Sequence, residues 1–305
     1  MTLPRRRIAT ILATACLLAG QLSSCGWGPP DLPADSSSTS SPPSGLGTAT
    51  RAARTPGPQT PELTRAFEAL PQELRHRASM AVLRVGTGST EETLRWGDLP
   101  ATPAWSTIKV PMVVATRGRD AATATRAITA SDNEAAASLW KGLGGGKTAA
   151  EAVQNELRAG GDHNTIVQDH DVRPPYTPYG QTVWRDDDAV RYTASLPCRA
   201  DAAAAYDAMK HIITAHRWGL GKIDAPAFKG GWGPSSDHGY VVRQIGVVPA
   251  ADGGQTAVAV TVLAPQGYDQ GVADITTLAR LLADHRDELP SGRCAPASTS
   301  PSNGP

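Results

Sequence analysis

Strand-like stretches at both ends of the folded region, with a long helical middle between them, restrict this chain more than any other feature. Met80–Val85 and Thr93–Trp96 read as a strand pair around the Gly86–Gly88 turn. Ala227–Trp232, Tyr240–Val248 and Ala257–Leu263 read as strands near the other end, the last two joined at Asp252-Gly253-Gly254. Between them the pattern predicts helices over 106–117, 120–130, 133–142, 147–159, 186–196 and 200–215. Residues 160–185, rich in Gly, Pro, Asp and His, read as a loop. A helix over 62–77 carries Leu63, Phe67 and Leu70 on one face until Pro71 interrupts it, and a closing helix spans about 270–288. Strands, helices, strands and a last helix make an α+β chain. The simplest solution is one antiparallel sheet pairing N- and C-terminal strands, a helical second lobe, and a cleft between the two. No internal repeat is present.

Ahead of this region lies an export signal. Arg5, Arg6 and Arg7 precede an apolar stretch, Ile8–Gly20, too short to span a bilayer. Leu22-Ser23-Ser24-Cys25 then resembles a bacterial lipobox, which implies cleavage after residue 24 and a diacylated Cys25 anchored at the cell membrane, outside the cytoplasm. An ordinary secretory signal is the alternative, and the arginines leave the general or the twin-arginine route open. Residues 25–61, Ser-, Pro-, Thr- and Gly-rich, cannot bury enough surface to offset their ordering and read as a tether. Residues 295–305 read as a similar tail, so the folded domain is about 62–294.

Formal charge balances, with 29 basic and 29 acidic residues, which removes a basic nucleic-acid platform. No sustained apolar run follows the signal, which removes a polytopic membrane protein. Arginine exceeds lysine 23 to 6, as in proteins from GC-rich genomes, so each lysine merits inspection. Of the four cysteines, Cys16 falls in the signal and Cys25 in the lipobox. Cys198 and Cys294 remain: a disulfide tying the C-terminus to the body, or two free thiols.

Three motifs carry chemistry. In Ser106-Thr107-Ile108-Lys109, a serine and a lysine three apart share a helix face. An amine kept neutral by desolvation can take the hydroxyl proton, and the helix N-terminus offers a backbone donor to an oxyanion. Ser131-Asp132-Asn133 sits between helices, where capping is the plain alternative. Lys229-Gly230-Gly231-Trp232-Gly233 follows apolar Ala227-Phe228, a lysine on a strand whose glycines admit a substrate to the strand edge.

In this order the three resemble the active-site set of the penicillin-recognising serine enzymes: class A β-lactamases and D-alanyl-D-alanine peptidases, with S-x-x-K, S-D-N and K-T-G. The resemblance extends over the layout of residues 62–290 and implies the β-lactamase/transpeptidase-like fold. It further implies Ser106 as acylated nucleophile, Lys109 as its proton acceptor or part of the relay, and Ser131 as proton donor to the leaving nitrogen. Asn133 would hold Lys109 and the substrate amide, Lys229 the substrate carboxylate, and Ser106 with Trp232 the oxyanion. Gly231 closes the K-x-G triplet at the substrate-binding strand. The implied substrate is a small amide, a β-lactam or a wall peptide, with no cofactor, no metal, no nucleic acid, and a monomeric protein.

Departures accompany it. Lys229-Gly230-Gly231 lacks the hydroxyl of K-T-G. Ser106 and Ser131 lie 25 positions apart, room for little more than one helix and a turn, so the helical lobe reads as trimmed. Class A enzymes activate the deacylating water with a loop glutamate, and 160–185 contains none; Glu156, Asp162, Asp169 and Asp171 stay unassigned. Asp169-His170-Asp171 and Asp162-His163 lack zinc-type spacing and read as solvated loop residues. His211 and His216 do not share a helix face. Trp105 and Trp232 either wall the cleft or belong to the core.

Overall fold

Leu63 and Phe67 are one turn apart and both buried, which orients the first helix, α1 (Pro61–Glu68), against the body. Proline at its first position lacks the N–H that a helix start leaves unpaired. The Glu288 carboxylate accepts the Glu62 and Leu63 N–H groups at 2.9 and 2.7 Å, so the far end of the chain caps the start. The computed structural model describes residues 60–86, 91–225, 227–236 and 239–295. The signal, Cys25, and nearly all of the tether and tail lie outside the described residues.

After α2 (Gln72–Arg75) come β1 (Ala78–Arg84), β2 (Leu94–Trp96) and β3 (Thr102–Pro103). A 3-10 turn, Trp105–Ile108, leads into α3 (Lys109–Ala115), followed by α4 (Ala121–Thr129), α5 (Asn133–Gly142) and α6 (Gly146–Ala159). Next are β4 (Val183–Trp184), α7 (Asp186–Ser195) and α8 (Ala203–Lys210). The chain ends on β5 (Ala227–Pro234), β6 (Tyr240–Pro249), β7 (Gln255–Ala264) and α9 (Tyr268–Asp284). The main sheet is antiparallel throughout, in the order β2-β1-β7-β6-β5, so β1 pairs with the last strand as the segregated pattern requires. Both faces are covered: α9 packs on β6 and β7 from one side, α7 from the other, and β6 and β7 are buried nearly end to end. This is the expected α+β architecture.

A polar row crosses the sheet on the α7 face. Ser79, Thr261, Arg243 and Gly231 lie directly opposite one another on β1, β7, β6 and β5. Asp186, at the start of α7, accepts from Ser79 Oγ, from Thr261 Oγ1 at 2.7 Å and from Arg243 Nη2 at 3.1 Å. Arg243, fully buried, also donates to Trp184 O at 2.9 Å and reaches the carbonyls of Thr102 and Pro103 at 3.4 Å. A buried guanidinium is tolerated only when paired and hydrogen-bonded, and here those partners fix the segment entering the Trp105–Ile108 turn.

Several expectations need adjustment. Ser106 lies on a 3-10 turn, with the α-helix beginning at Lys109. Two short helices, α3 and α4, fit between Ser106 and Ser131, because Arg117, Gly118 and Asp120 turn the chain sharply in the left-handed region. Val183–Trp184, read as loop, pairs with Thr102–Pro103, too short a strand to show alternation. The helix over 200–215 ends at Lys210, and the closing helix at Asp284. Cys198 and Cys294 are joined in a disulfide, Cα atoms 5.0 Å apart, beside Gly292, which exchanges backbone bonds with Gln255.

Candidate active site

Ser131 occupies the left-handed region at φ 55°, a conformation that costs a non-glycine residue about 1–2 kcal/mol. That turn points its carbonyl and its hydroxyl at two different lysines. Lys109 Nζ donates to Ser131 O at 2.6 Å, to Asp132 O at 3.3 Å and to Asn133 Oδ1 at 2.7 Å. Lys229 Nζ donates to Ser131 Oγ at 2.9 Å and to Gly230 O at 2.7 Å. Asp132 caps α5 by accepting Ala135 N–H at 3.0 Å, so capping and site roles coexist in the triplet, divided among its residues.

Both amines are buried, each only 2% exposed. Desolvation brings Lys109 down from 10.5 to about 8, opposed by Asp132. Desolvation, then the like charge of Lys109, holds Lys229 well below the usual lysine range. His216, its ring 4.9 Å from that of Trp232, is lowered by burial and by both lysines.

Ser106 is half-buried and opens with Lys109, Ser131 and Asn133 onto a cleft of about 420 Å³. All three protons of Lys109 go to other acceptors, and no hydrogen bond joins Ser106 Oγ to Lys109 among the described residues. Trp105, just before the serine, is also left-handed at φ 48°. Strain on both sides of one cleft is a feature of functional sites. The turn carrying Ser106 lies tight against β5: a Cβ on Gly231 would sit 2.8 Å from Ala104 O and 3.0 Å from Ser106 N. Only glycine permits that approach, which brings the backbone of Trp232 beside that of Ser106.

Trp105, Trp232, Tyr176, Tyr179 and Tyr240 line the cleft, five of the chain's 15 aromatic residues. Trp105 also packs with Leu99, Val241 and Leu263, so it is both wall and core. Behind Trp232 stand Trp218 and Tyr268, ring centroids 6.0 and 5.6 Å away. Trp218 accounts for Gly230: a Cβ there would lie 2.9 Å from the indole, so no threonine fits. Gln244 holds the indole segment, donating to Trp218 O at 2.9 Å and accepting Leu220 N–H at 2.7 Å.

No known family model matches the sequence, and no curated protein does. Solved structures do match. The TLA-3 extended-spectrum β-lactamase superposes with TM-score 0.61 at 14% identity, covering 74% of this chain and 98% of that one. A class A β-lactamase from Bacteroides cellulosilyticus gives 0.59 at 12%, covering 74% and 97%. A β-lactamase from Chitinophaga pinensis gives 0.59 at 16%, covering 73% and 98%. The fold is that of the class A β-lactamases.

On that fold, none of the unassigned acids lines the cleft. Glu156 is buried and accepts from Arg199 at 2.7 and 3.0 Å and from Tyr192 OH at 3.0 Å. Asp162, fully buried, accepts the Asn164 and Thr165 N–H groups and Trp184 Nε1, which anchors the 160–185 loop. Asp169 pairs with His170 at 2.6 Å on the outside, and Asp171 is exposed. Among the described lining residues of the cleft there is no Asp, Glu or His. Sequence reasoning missed Arg243 and Asp186, whose partners are distant in sequence, and Trp218; no local signal marks them.

Proposed function

We propose that the protein is an exported serine hydrolase acting on an amide through an acyl-enzyme on Ser106, with slow deacylation. The observation that carries this reading is the convergence of two buried lysines on Ser131 beside Ser106, in a cleft whose described lining residues include no carboxylate. With Lys109 near 8, about a tenth of it is neutral at pH 7 and able to take the Ser106 proton once it turns from its present acceptors. Ser106 Oγ then bonds to the substrate carbonyl carbon, and the Ser106 and Trp232 N–H groups receive the oxyanion. As the C–N bond breaks, Ser131 gives its proton to the departing nitrogen and regains one through the lysines. Ser131 Oγ already accepts from Lys229, which leaves its own O–H free to face the substrate. Water finally cleaves the ester, and with no carboxylate among the described cleft residues to activate that water, this step is the slow one.

The lipobox at Cys25 supports attachment to the outer side of the cell membrane, and balanced charge supports a protein without nucleic-acid partners. A cleft with no carboxylate among its described lining residues equally favours a penicillin-binding D-alanyl-D-alanine peptidase, and the absence of a Ser106–Lys109 hydrogen bond favours a silent binding module. Intact-mass spectrometry of the domain from residue 62, incubated with a fluorescent penicillin, separates them. A long-lived adduct that disappears in Ser106→Ala is expected. A transient adduct with accumulating hydrolysed product means fast deacylation, and no adduct with either protein refutes acylation.

A further inference from the structure

β5 ends the sheet, so one side of it pairs with β6 and the other faces the cleft. Ser235 N–H donates to Gly239 O directly opposite at 3.0 Å. Antiparallel pairs alternate, so Lys229, Gly231, Gly233 and Ser235 bond to β6, while Phe228, Gly230, Trp232 and Pro234 turn their backbone groups to the free edge. From Gly230 onward, two of the three carbonyls on that edge are already taken. Lys229 Nζ holds Gly230 O at 2.7 Å, and Arg173, reaching across from the 160–185 loop, donates Nη2 to Pro234 O. Pro234 has no N–H to offer. From Gly230 onward, Trp232 is left as the residue at which an incoming strand can both donate and accept.

Arg173 is held for this task. Its guanidinium lies 4.9 Å from the Tyr176 ring centre and 5.8 Å from that of Trp105, and the two rings meet edge to face at 5.2 Å. Trp105 runs from beside Gly180 on the loop to Gly233 on β5, where a Cβ would fall inside the indole. No carboxylate pairs with Arg173 among the described residues, and its Nε is buried without a hydrogen-bond partner. Ring faces and one carbonyl fix it, so it bridges loop and strand across one end of the cleft.

We propose that Arg173 determines specificity by ending the substrate's pairing with β5 at Trp232, so that the acyl arm is one short group and not an extended peptide. This rests on the acyl-enzyme reading, in which the leaving nitrogen lies toward Ser131 and Lys229 and the acyl arm therefore runs toward Pro234. The class of substrate is a short-armed N-acyl amide. An arm continuing as a strand meets a filled acceptor at Pro234 and the Arg173–Tyr176–Trp105 stack.

Two penicillins that differ only in the acyl arm, one acetyl-sized and one a dipeptide in length, test this in the wild type, Arg173→Ala and Arg173→Lys. Acylation rates come from intact mass, and loop mobility from amide exchange over 171–181. The wild type is expected to favour the short arm by about tenfold or more, the scale of discrimination that pocket contacts give. Arg173→Ala is expected to remove most of that preference by raising the long-arm rate, and to speed exchange in 171–181. Arg173→Lys, which keeps a donor for Pro234 O, retains most of both. Equal rates for both arms in the wild type, or an unchanged preference in a folded Arg173→Ala, overturns the proposal. If neither penicillin forms an adduct with the wild type, the acyl-enzyme reading fails. Exchange then decides the bridge alone: faster exchange in Arg173→Ala upholds it, and unchanged exchange overturns it.

Discussion

Replacing Gly231 by alanine probes the contact that assembles the site. The new Cβ would lie 2.8 Å from Ala104 O, 2.9 Å from Thr107 N and 3.0 Å from Ser106 N. Comfortable contacts of this kind begin near 3.5 Å, so strand and turn must part by about 0.5 Å. All three atoms are backbone, and no rotamer change relieves the clash. Overpacking of this sort costs about 1–3 kcal/mol, a fall in Tm of roughly 3–10 °C for a domain this size. The same displacement separates the Ser106 and Trp232 N–H groups, and an oxyanion donor works only within about 2.7–3.1 Å of its target. Losing one donor costs about 2.7–4 kcal/mol, so acylation should slow by about 100- to 1,000-fold. Gly142→Ala is the control: it sits at the end of α5 with nothing within 4 Å, and should stabilise by about 0.5–1 kcal/mol with acylation unchanged. Melting curves and intact-mass rates on both variants decide it. A Gly231→Ala protein acylating within about threefold of wild type would refute the close-approach argument.

Lys109 must lose a proton to accept one, so acylation should rise about tenfold per pH unit below 8 and level off above it; a flat profile from pH 5 to 9.5 contradicts this role. Its folded value lies below the unfolded 10.5, so the unfolded chain binds more protons between pH 8 and 10.5. Stability therefore rises with pH across that window, by up to about 3 kcal/mol, and urea titrations of wild type against Lys109→Met at pH 7.5 and 10 should show the difference. Glu156→Gln should destabilise by about 3 kcal/mol, since it leaves the Arg199 guanidinium without its buried carboxylate. It should leave the acylation rate of the folded protein unaltered, and a large loss of rate at constant fold would place Glu156 in the chemistry after all.

The order of strands and helices was readable because a buried strand and an amphipathic helix each write their period into consecutive residues. Capping and glycine signals placed most helix ends within a few positions. The 3-10 turn at Ser106 and the short β3–β4 pair escaped, because neither is long enough to establish a period. Ser106, Lys109, Ser131, Asn133 and Lys229 were nameable from three short motifs in order, though the motifs do not say which lysine meets which atom of Ser131.

Legible in consecutive residues are therefore local features: the α+β order, the motif residues, and the absence of a glutamate from the 160–185 loop. The remaining features of the cleft depend on residues far apart in the chain. Trp218 fills the place that a side chain at Gly230 would take, the Asp186–Arg243 row fixes the turn that bears the serine, and Arg173 crosses from loop to strand to close the edge of β5. Each is a contact between segments brought together by sheet register and packing. A single sequence holds periodicity within a segment but no record of which distant side chains share a surface.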